Sequence, residues 1–157
     1  MKFSTRHDID APIEYVFQRI TDFETLERQA LRRGAGVSRK DPSFPRGVGM
    51  EWDIEVPFRG KVRKMSAELT KLEAPTSLEA KAESDGLNMT LDIELVALSR
   101  ARTRMVLGYD VRPKTLAGRI IIRSVKFAKG TMDRRFERKV AAFCEGLSDN
   151  YSKMRKA

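Results

Sequence analysis

Residues Lys2 to Asp10 alternate, with Phe3, Thr5, His7 and Ile9 on one side and Lys2, Ser4, Arg6, Asp8 and Asp10 on the other. A period of two predicts a half-buried strand. Then the period changes. Ile13, Val16, Phe17 and Ile20 recur at steps of three and four, predicting a short amphipathic helix to about Thr21. Pro12 suits its first position, where a missing N–H is tolerated, with Asp10 or Ala11 near the cap. Asp22 reads as a second N-cap. The helix it opens carries Phe23, Leu26 and Leu31 and stops before Gly34 and Gly36.

Alternation then returns and holds as far as Pro113. Val37 to Lys40 predicts a short strand, and Asp41 to Gly49 a loop of turn formers with Phe44 set outward. Met50, Trp52, Ile54 and Val56 alternate with Glu51, Asp53 and Glu55, and a turn is expected at Phe58-Arg59-Gly60. Met65, Ala67 and Leu69 form the next strand, Pro75-Thr76 breaks the chain, and Leu78, Ala80 and Ala82 form another. Asp85-Gly86 is a hairpin signal. Leu87, Met89, Leu91, Ile93 and Leu95 follow it, and after a turn at Ser99 to Ala101 come Thr103, Met105, Leu107, Tyr109 and Val111. Such a run predicts an antiparallel meander with one apolar and one charged face.

From Pro113 onward the period is helical. Ile121, Val125, Ala128, Met132, Phe136, Val140, Phe143, Leu147 and Tyr151 make an apolar seam. Unbroken, Thr115 to Lys153 would span roughly 58 Å at 1.5 Å per residue. That exceeds a domain of this size, so a break is expected near Gly118 or Gly130. This helix is the only predicted element long enough to cover the apolar sheet face. A twisted sheet of six or seven strands should curl around it.

Composition narrows the picture. The chain has 157 residues, 41% hydrophobic and 34% charged, which predicts one folded domain over residues 1–157. No apolar run approaches the roughly 20 residues of a membrane span. The opening residues lack the apolar stretch of a signal peptide, so the expected compartment is the cytoplasm. One cysteine, Cys144, and one histidine, His7, leave no disulfide framework and no Cys-based zinc site. No metal and no cofactor are expected: neither a phosphate-cradling glycine loop nor a nucleophile elbow is present. The net charge of +9 is uneven. Residues 112–157 hold 13 basic and 4 acidic side chains, and residues 1–111 hold 18 of each. A basic C-terminal face is either a solvated helix surface suited to the helix dipole or a contact for anionic membrane or nucleic acid.

Three stretches carry a family resemblance. Ile9-Asp10-Ala11-Pro12-Ile13-Glu14-Tyr15-Val16-Phe17 runs into Ile20-Thr21-Asp22-Phe23; Gly47-Val48-Gly49-Met50-Glu51-Trp52 leads into a strand; Ala117-Gly118-Arg119 opens the seam. Together with the order of elements, they resemble the START-like or polyketide cyclase/dehydrase (SRPBCC) superfamily. The resemblance implies an α+β helix-grip fold: a curled antiparallel sheet around a long C-terminal helix, with two short helices after the first strand. It further implies a cavity for a small hydrophobic molecule between sheet and helix. By parity and seam position its lining would come from Trp52, Met65, Leu69, Met89, Met105, Leu107, Tyr109, Val125, Met132 and Phe136, and the outward-set Phe44 of the loop is a further candidate if it folds back. Methionines suit an adaptable lining, and Trp52 and Tyr109 bring polar tips that need partners when buried.

Some relatives of this fold are cyclases or dehydratases. Catalysis would need polar side chains converging inside the cavity, and only His7, Thr5, Thr103 and Tyr109 have the parity for it. His7 as a general base would need an orienting partner. Cys144 has no histidine near it in sequence and reads as a small buried side chain. Glu51, Asp53 and Glu55 form an acidic row expected to face Lys61, Arg63 and Lys64 across the sheet. The expected function is carriage or sensing of a hydrophobic ligand by a monomer or homodimer. The alternatives are a cyclase or dehydratase acting on an aromatic or polyketide-type substrate and, more weakly, docking of the basic helix on anionic membrane or nucleic acid.

Overall fold

The computed structural model describes residues 1–58 and 60–157, and the turn expected at Phe58-Arg59-Gly60 centres on Arg59, outside the described residues. In chain order the elements are β1 (Lys2–Ile9), α1 (Ile13–Ile20), α2 (Phe23–Arg32), β2 (Gly36–Arg39), β3 (Glu51–Phe58), β4 (Lys61–Glu73), β5 (Ser77–Ser84), β6 (Leu87–Ser99), β7 (Arg102–Pro113), α3 (Leu116–Lys126) and α4 (Lys129–Lys156). The strands form a seven-stranded antiparallel sheet in the order β1-β7-β6-β5-β4-β3-β2. The meander keeps chain order, and β1 adds beside β7, with Phe3 opposite Tyr109, Thr5 opposite Leu107 and His7 opposite Met105. This is the helix-grip arrangement.

Two irregularities bend the sheet. The β4–β5 register slips between Leu69 and Lys71, and the β6–β7 register slips between Ala97 and Ser99. An extra residue on one strand bends it and raises its twist. The first slip also returns Leu72 to the core side, three residues after buried Leu69.

One core cluster joins Val16, Phe17 and Ile20 of α1 and Val140, Cys144 and Leu147 of α4 to Leu69, Ile93, Leu95, Met105 and Leu107 of the sheet. Asp22 caps α2 as its sequence predicts, accepting from the Thr25 backbone N–H at 3.3 Å. Pro12, however, is itself the N-cap of α1, with ψ of 151°. That extended ψ keeps Pro12 outside the helix and moves the cap one or two residues past Asp10 and Ala11.

The acidic row is also partnered differently. Glu51 and Asp53 reach Lys40, at 3.5 and 3.8 Å, and Lys64 alone of the expected partners stands opposite a member of the row, Glu55. Arg63 has the parity of Met65, so it turns to the inner face.

The C-terminal helix is broken at Phe127 and Ala128, just ahead of Gly130. The halves do different work. Residues from Phe136 onward in α4 pack on the core cluster, whereas the buried Ile122 and Val125 of α3 stand apart from it. At the head of α3, Thr115 Oγ1 accepts from the Gly118 N–H at 3.1 Å. The Asp85-Gly86 hairpin turn is seated directly against that first turn. A Cβ on Gly118 would lie 2.2 Å from the Gly86 carbonyl oxygen, and one on Gly86, at φ +76°, would lie 2.2 Å from Thr115 Oγ1. Two glycines thus let helix and hairpin meet backbone to backbone.

Candidate functional site

Fastening α3 to the β5–β6 hairpin holds it over the open end of the sheet instead of in the core. Beneath it lies a cavity of about 430 Å³. Its floor comes from Val56, Pro57 and Phe58 of β3, Arg63 and Met65 of β4, Leu87 and Met89 of β6 and Val111 of β7. Its roof is Ile121, Ile122 and Val125 of α3 with Met132 of α4. The volume lies within the roughly 300–1,000 Å³ range of small-molecule sites, and the wall is mostly aliphatic and thioether. Other depressions are more polar; the groove between α2 and α4, for example, carries Gln29, Arg33 and Lys139.

Four residues singled out by sequence, Met65, Met89, Val125 and Met132, come together in this cavity. The other six lie elsewhere. Leu69, Met105 and Leu107 belong to the core cluster. Trp52 is 8% exposed, packs at a tilt against Phe23 and donates its indole N–H to Glu27 Oε2 at 2.8 Å. Phe136 packs edge-on against Phe3 and Tyr109, with ring centroids at 5.6 and 5.4 Å. Tyr109 donates its hydroxyl hydrogen to Asp133 Oδ1 at 2.6 Å. Phe44 leans on Gly49, away from the cavity. Sequence reasoning missed Arg63 and Ile122, and it placed Val56, Leu87, Val111 and Ile121 on apolar faces without assigning them to the lining. Arg63 is readable by counting back two residues from Met65, although its place in a run of cations matches the pattern of a solvated strand edge.

Of the polar candidates for catalysis, Tyr109 and the pair Thr5 and His7 lie in two clusters under α4, outside the cavity wall. In the first, Asp133 accepts from Tyr109 and from Lys129 one turn earlier on the helix. Burial works against the Asp133 carboxylate, but the hydrogen bonds from Lys129 and Tyr109 outweigh it and hold the carboxyl below its ordinary value. Burial, together with the bond to Asp133, pushes the Tyr109 phenol well up and keeps it protonated.

In the second cluster His7 Nε2 lies 3.1 Å from Thr5 Oγ1 and 2.9 Å from Glu137 Oε1. A catalytic relay needs hydroxyl and carboxylate on opposite ring nitrogens. Here both sit at one nitrogen and compete for it. Thr103 is fully buried and donates to the Ala11 carbonyl at 2.8 Å, tying β7 to the start of α1. Cys144 is buried, and burial pushes its thiol up to about 11. No three His, Cys, Asp or Glu side chains among the described residues cluster as metal ligands.

Residues 1–149 match the family described as polyketide cyclase / dehydrase and lipid transport. The chain belongs to this family. Solved structures share the fold at low sequence identity. A protein from Thermus thermophilus superposes with a TM-score of 0.70 at 16% identity, covering 97% of this chain and 99% of its own. The Zhui aromatase/cyclase from a Streptomyces species gives 0.59 at 14% identity, covering 92% and 98%. A START superfamily protein from Mycobacterium smegmatis gives 0.57 at 13% identity, covering 87% and 97%. No curated protein matches the chain in sequence. Family and fold together support a ligand-binding or cyclase-like role. Among the described residues no helix is long and apolar enough to cross a membrane.

Proposed function

We propose that the chain, acting as one domain over residues 1–157, binds a small hydrophobic molecule between α3 and the curled sheet, as a carrier or sensor. The observation that carries this is the cavity itself: apolar walls from Met65, Met89, Val125 and Met132 under a helix that the core does not claim. The cyclase-like alternative lacks support from its own candidates. Thr5, His7, Thr103 and Tyr109 are all partnered by the protein and face α4 or α1, not the cavity. Native mass spectrometry of freshly purified protein tests the proposal. A small apolar adduct is expected on the wild type and should be absent from Met89→Trp, whose indole would fill the space. Equal occupancy in both proteins would refute the assignment.

A second reading concerns the outer face of α3. Leu116, Ile120 and Phe127 are 75%, 65% and 99% exposed, and Arg119, Arg123 and Lys126 flank them. Large apolar side chains held in water beside cations fit an anionic bilayer surface. Nucleic acid fits less well, because the aromatic residues of the C-terminal segment other than Phe127 turn inward to the seam. On this reading α3 is both the roof of the cavity and the face that meets the membrane.

A further inference from the structure

Among the described residues, the cavity wall carries one buried polar side-chain atom without a hydrogen-bond partner, Arg63 Nε. Arg63 sits on the inner face of β4, with its side chain 27% exposed. Its Nη1 lies 3.3 Å from Asp85 Oδ2, in the hairpin turn at the cavity's edge. Its Nε is buried and has no hydrogen-bond partner among the described residues. The other polar groups of the wall among the described residues are engaged: the Met1 ammonium donates to the Val111 carbonyl at 2.8 Å, Ser84 donates its hydroxyl to the Lys64 carbonyl at 2.6 Å and Ser124 donates to the Ile121 carbonyl at 2.7 Å. A buried N–H without an acceptor is destabilising, and proteins keep such groups mostly where something else completes them.

The placement of the open donor is informative. A guanidinium presents two edges to a carboxylate, and the Asp85 contact is made at the Nη1 corner. The Nε–Nη2 edge, a pair of parallel N–H groups spaced to match two carboxylate oxygens, is left for another partner. Next to it the wall continues through Met65 and Met89 to Val125 and Met132. A molecule filling this space would set an oxygen-bearing head against Arg63, near solvent, and an apolar body under α3.

We propose that the ligand is an amphipathic carboxylate, a medium-chain or aryl-alkyl acid, bound by Arg63 through its Nε–Nη2 edge. This rests on the cavity reading above and specifies the ligand class. Asp85 tunes the site. It steadies the guanidinium and opposes the incoming anion, so binding is tightened by removing its charge and weakened by removing that of Arg63.

The test is isothermal titration of the purified full chain with decanoate and with 1-decanol, which share a tail and differ in the head. Wild type should bind decanoate at least tenfold more tightly than the alcohol. Arg63→Met, which keeps an unbranched side chain, should bring the two to near parity by weakening decanoate alone. Asp85→Asn leaves Arg63 in place, and asparagine tolerates the positive φ of 42° found there. It should tighten decanoate severalfold and leave 1-decanol unchanged, a readout that stands even if Arg63→Met fails to fold. Equal binding of acid and alcohol to wild type would overturn this inference and leave the cavity reading standing. No binding of either would overturn both.

Discussion

Tyr109 of β7 donates its phenol hydrogen to Asp133 of α4 at 2.6 Å, and the same carboxylate is held from its own helix by Lys129. The bond ties the first turns of α4 to the sheet beside the cavity. Asp133 is 15% exposed and its carboxyl lies below the ordinary 3.8. A carboxylate depressed in the folded state stabilises fully above its unfolded pKa and loses that contribution as pH falls through the folded value. Wild type should therefore lose this part of its stability from about pH 4 downward. Asp133→Asn should be less stable at pH 7 and decline less steeply in acid. Tyr109→Phe should cost about 1.5–3 kcal/mol, the range for a hydrogen bond to a charged group. Urea unfolding at a series of pH values measures both.

The Gly86–Gly118 contact predicts an effect out of proportion to the size of the change. Gly118→Ala adds one methyl group 2.2 Å from a backbone carbonyl that cannot step aside as a side chain would. Alanine is the better helix former, so propensity alone predicts stabilisation. The contact predicts the reverse, a loss of about 1–3 kcal/mol by overpacking. Thermal denaturation should show a lower midpoint, and ligand binding should weaken because the roof is displaced.

Cys144 is 2% exposed with a thiol pushed up to about 11 by burial. At pH 8 only about one thiol in a thousand is ionised at such a pKa, and the thiolate is the reactive form. Reaction with a chromogenic disulfide should be slow on the native protein, and fast and stoichiometric in denaturant. Rapid modification of native protein would mean that the inner face of α4 opens readily.

If α3 meets a bilayer, Ile120→Ser and Phe127→Ser together should reduce sedimentation with phosphatidylserine-rich vesicles severalfold. Both side chains are exposed, so the thermal midpoint should hardly move; surface changes of this kind typically stay within about 0.5 kcal/mol. Binding to vesicles of phosphatidylcholine alone should be weak for both proteins, because the flanking arginines contribute only where the surface is anionic.

The fold was largely legible because its periods are long and clean. Alternation from Met50 to Val111 fixes which side of each strand faces in, and the steps from Ile121 to Tyr151 fix the seam of the final helix. The division of that seam was not legible. Val125 and Phe136 share one stripe, yet one roofs a cavity and the other fills an aromatic cluster with Phe3 and Tyr109. Which half of the helix rests on the core depends on the contact between Gly86 and Gly118, which no local pattern encodes. Trp52 shows the same gap. Its need for a polar partner was readable, but the partner, Glu27, is 25 residues away on α2. Arg63 was hidden by its neighbours Lys61 and Lys64, since a run of cations looks like a solvated edge until parity is counted.

Ligand binding in the space beneath α3 is read out by titration with the fluorescent apolar probe 1-aminoanthracene, on wild type and on Met89→Trp. Met89 is half-buried on the cavity floor, so the larger indole occupies the cavity and leaves the core cluster untouched. Saturable binding of one probe per chain to wild type, lost in a folded Met89→Trp, is the predicted result. Binding of equal strength to both proteins, or none to wild type, would contradict it.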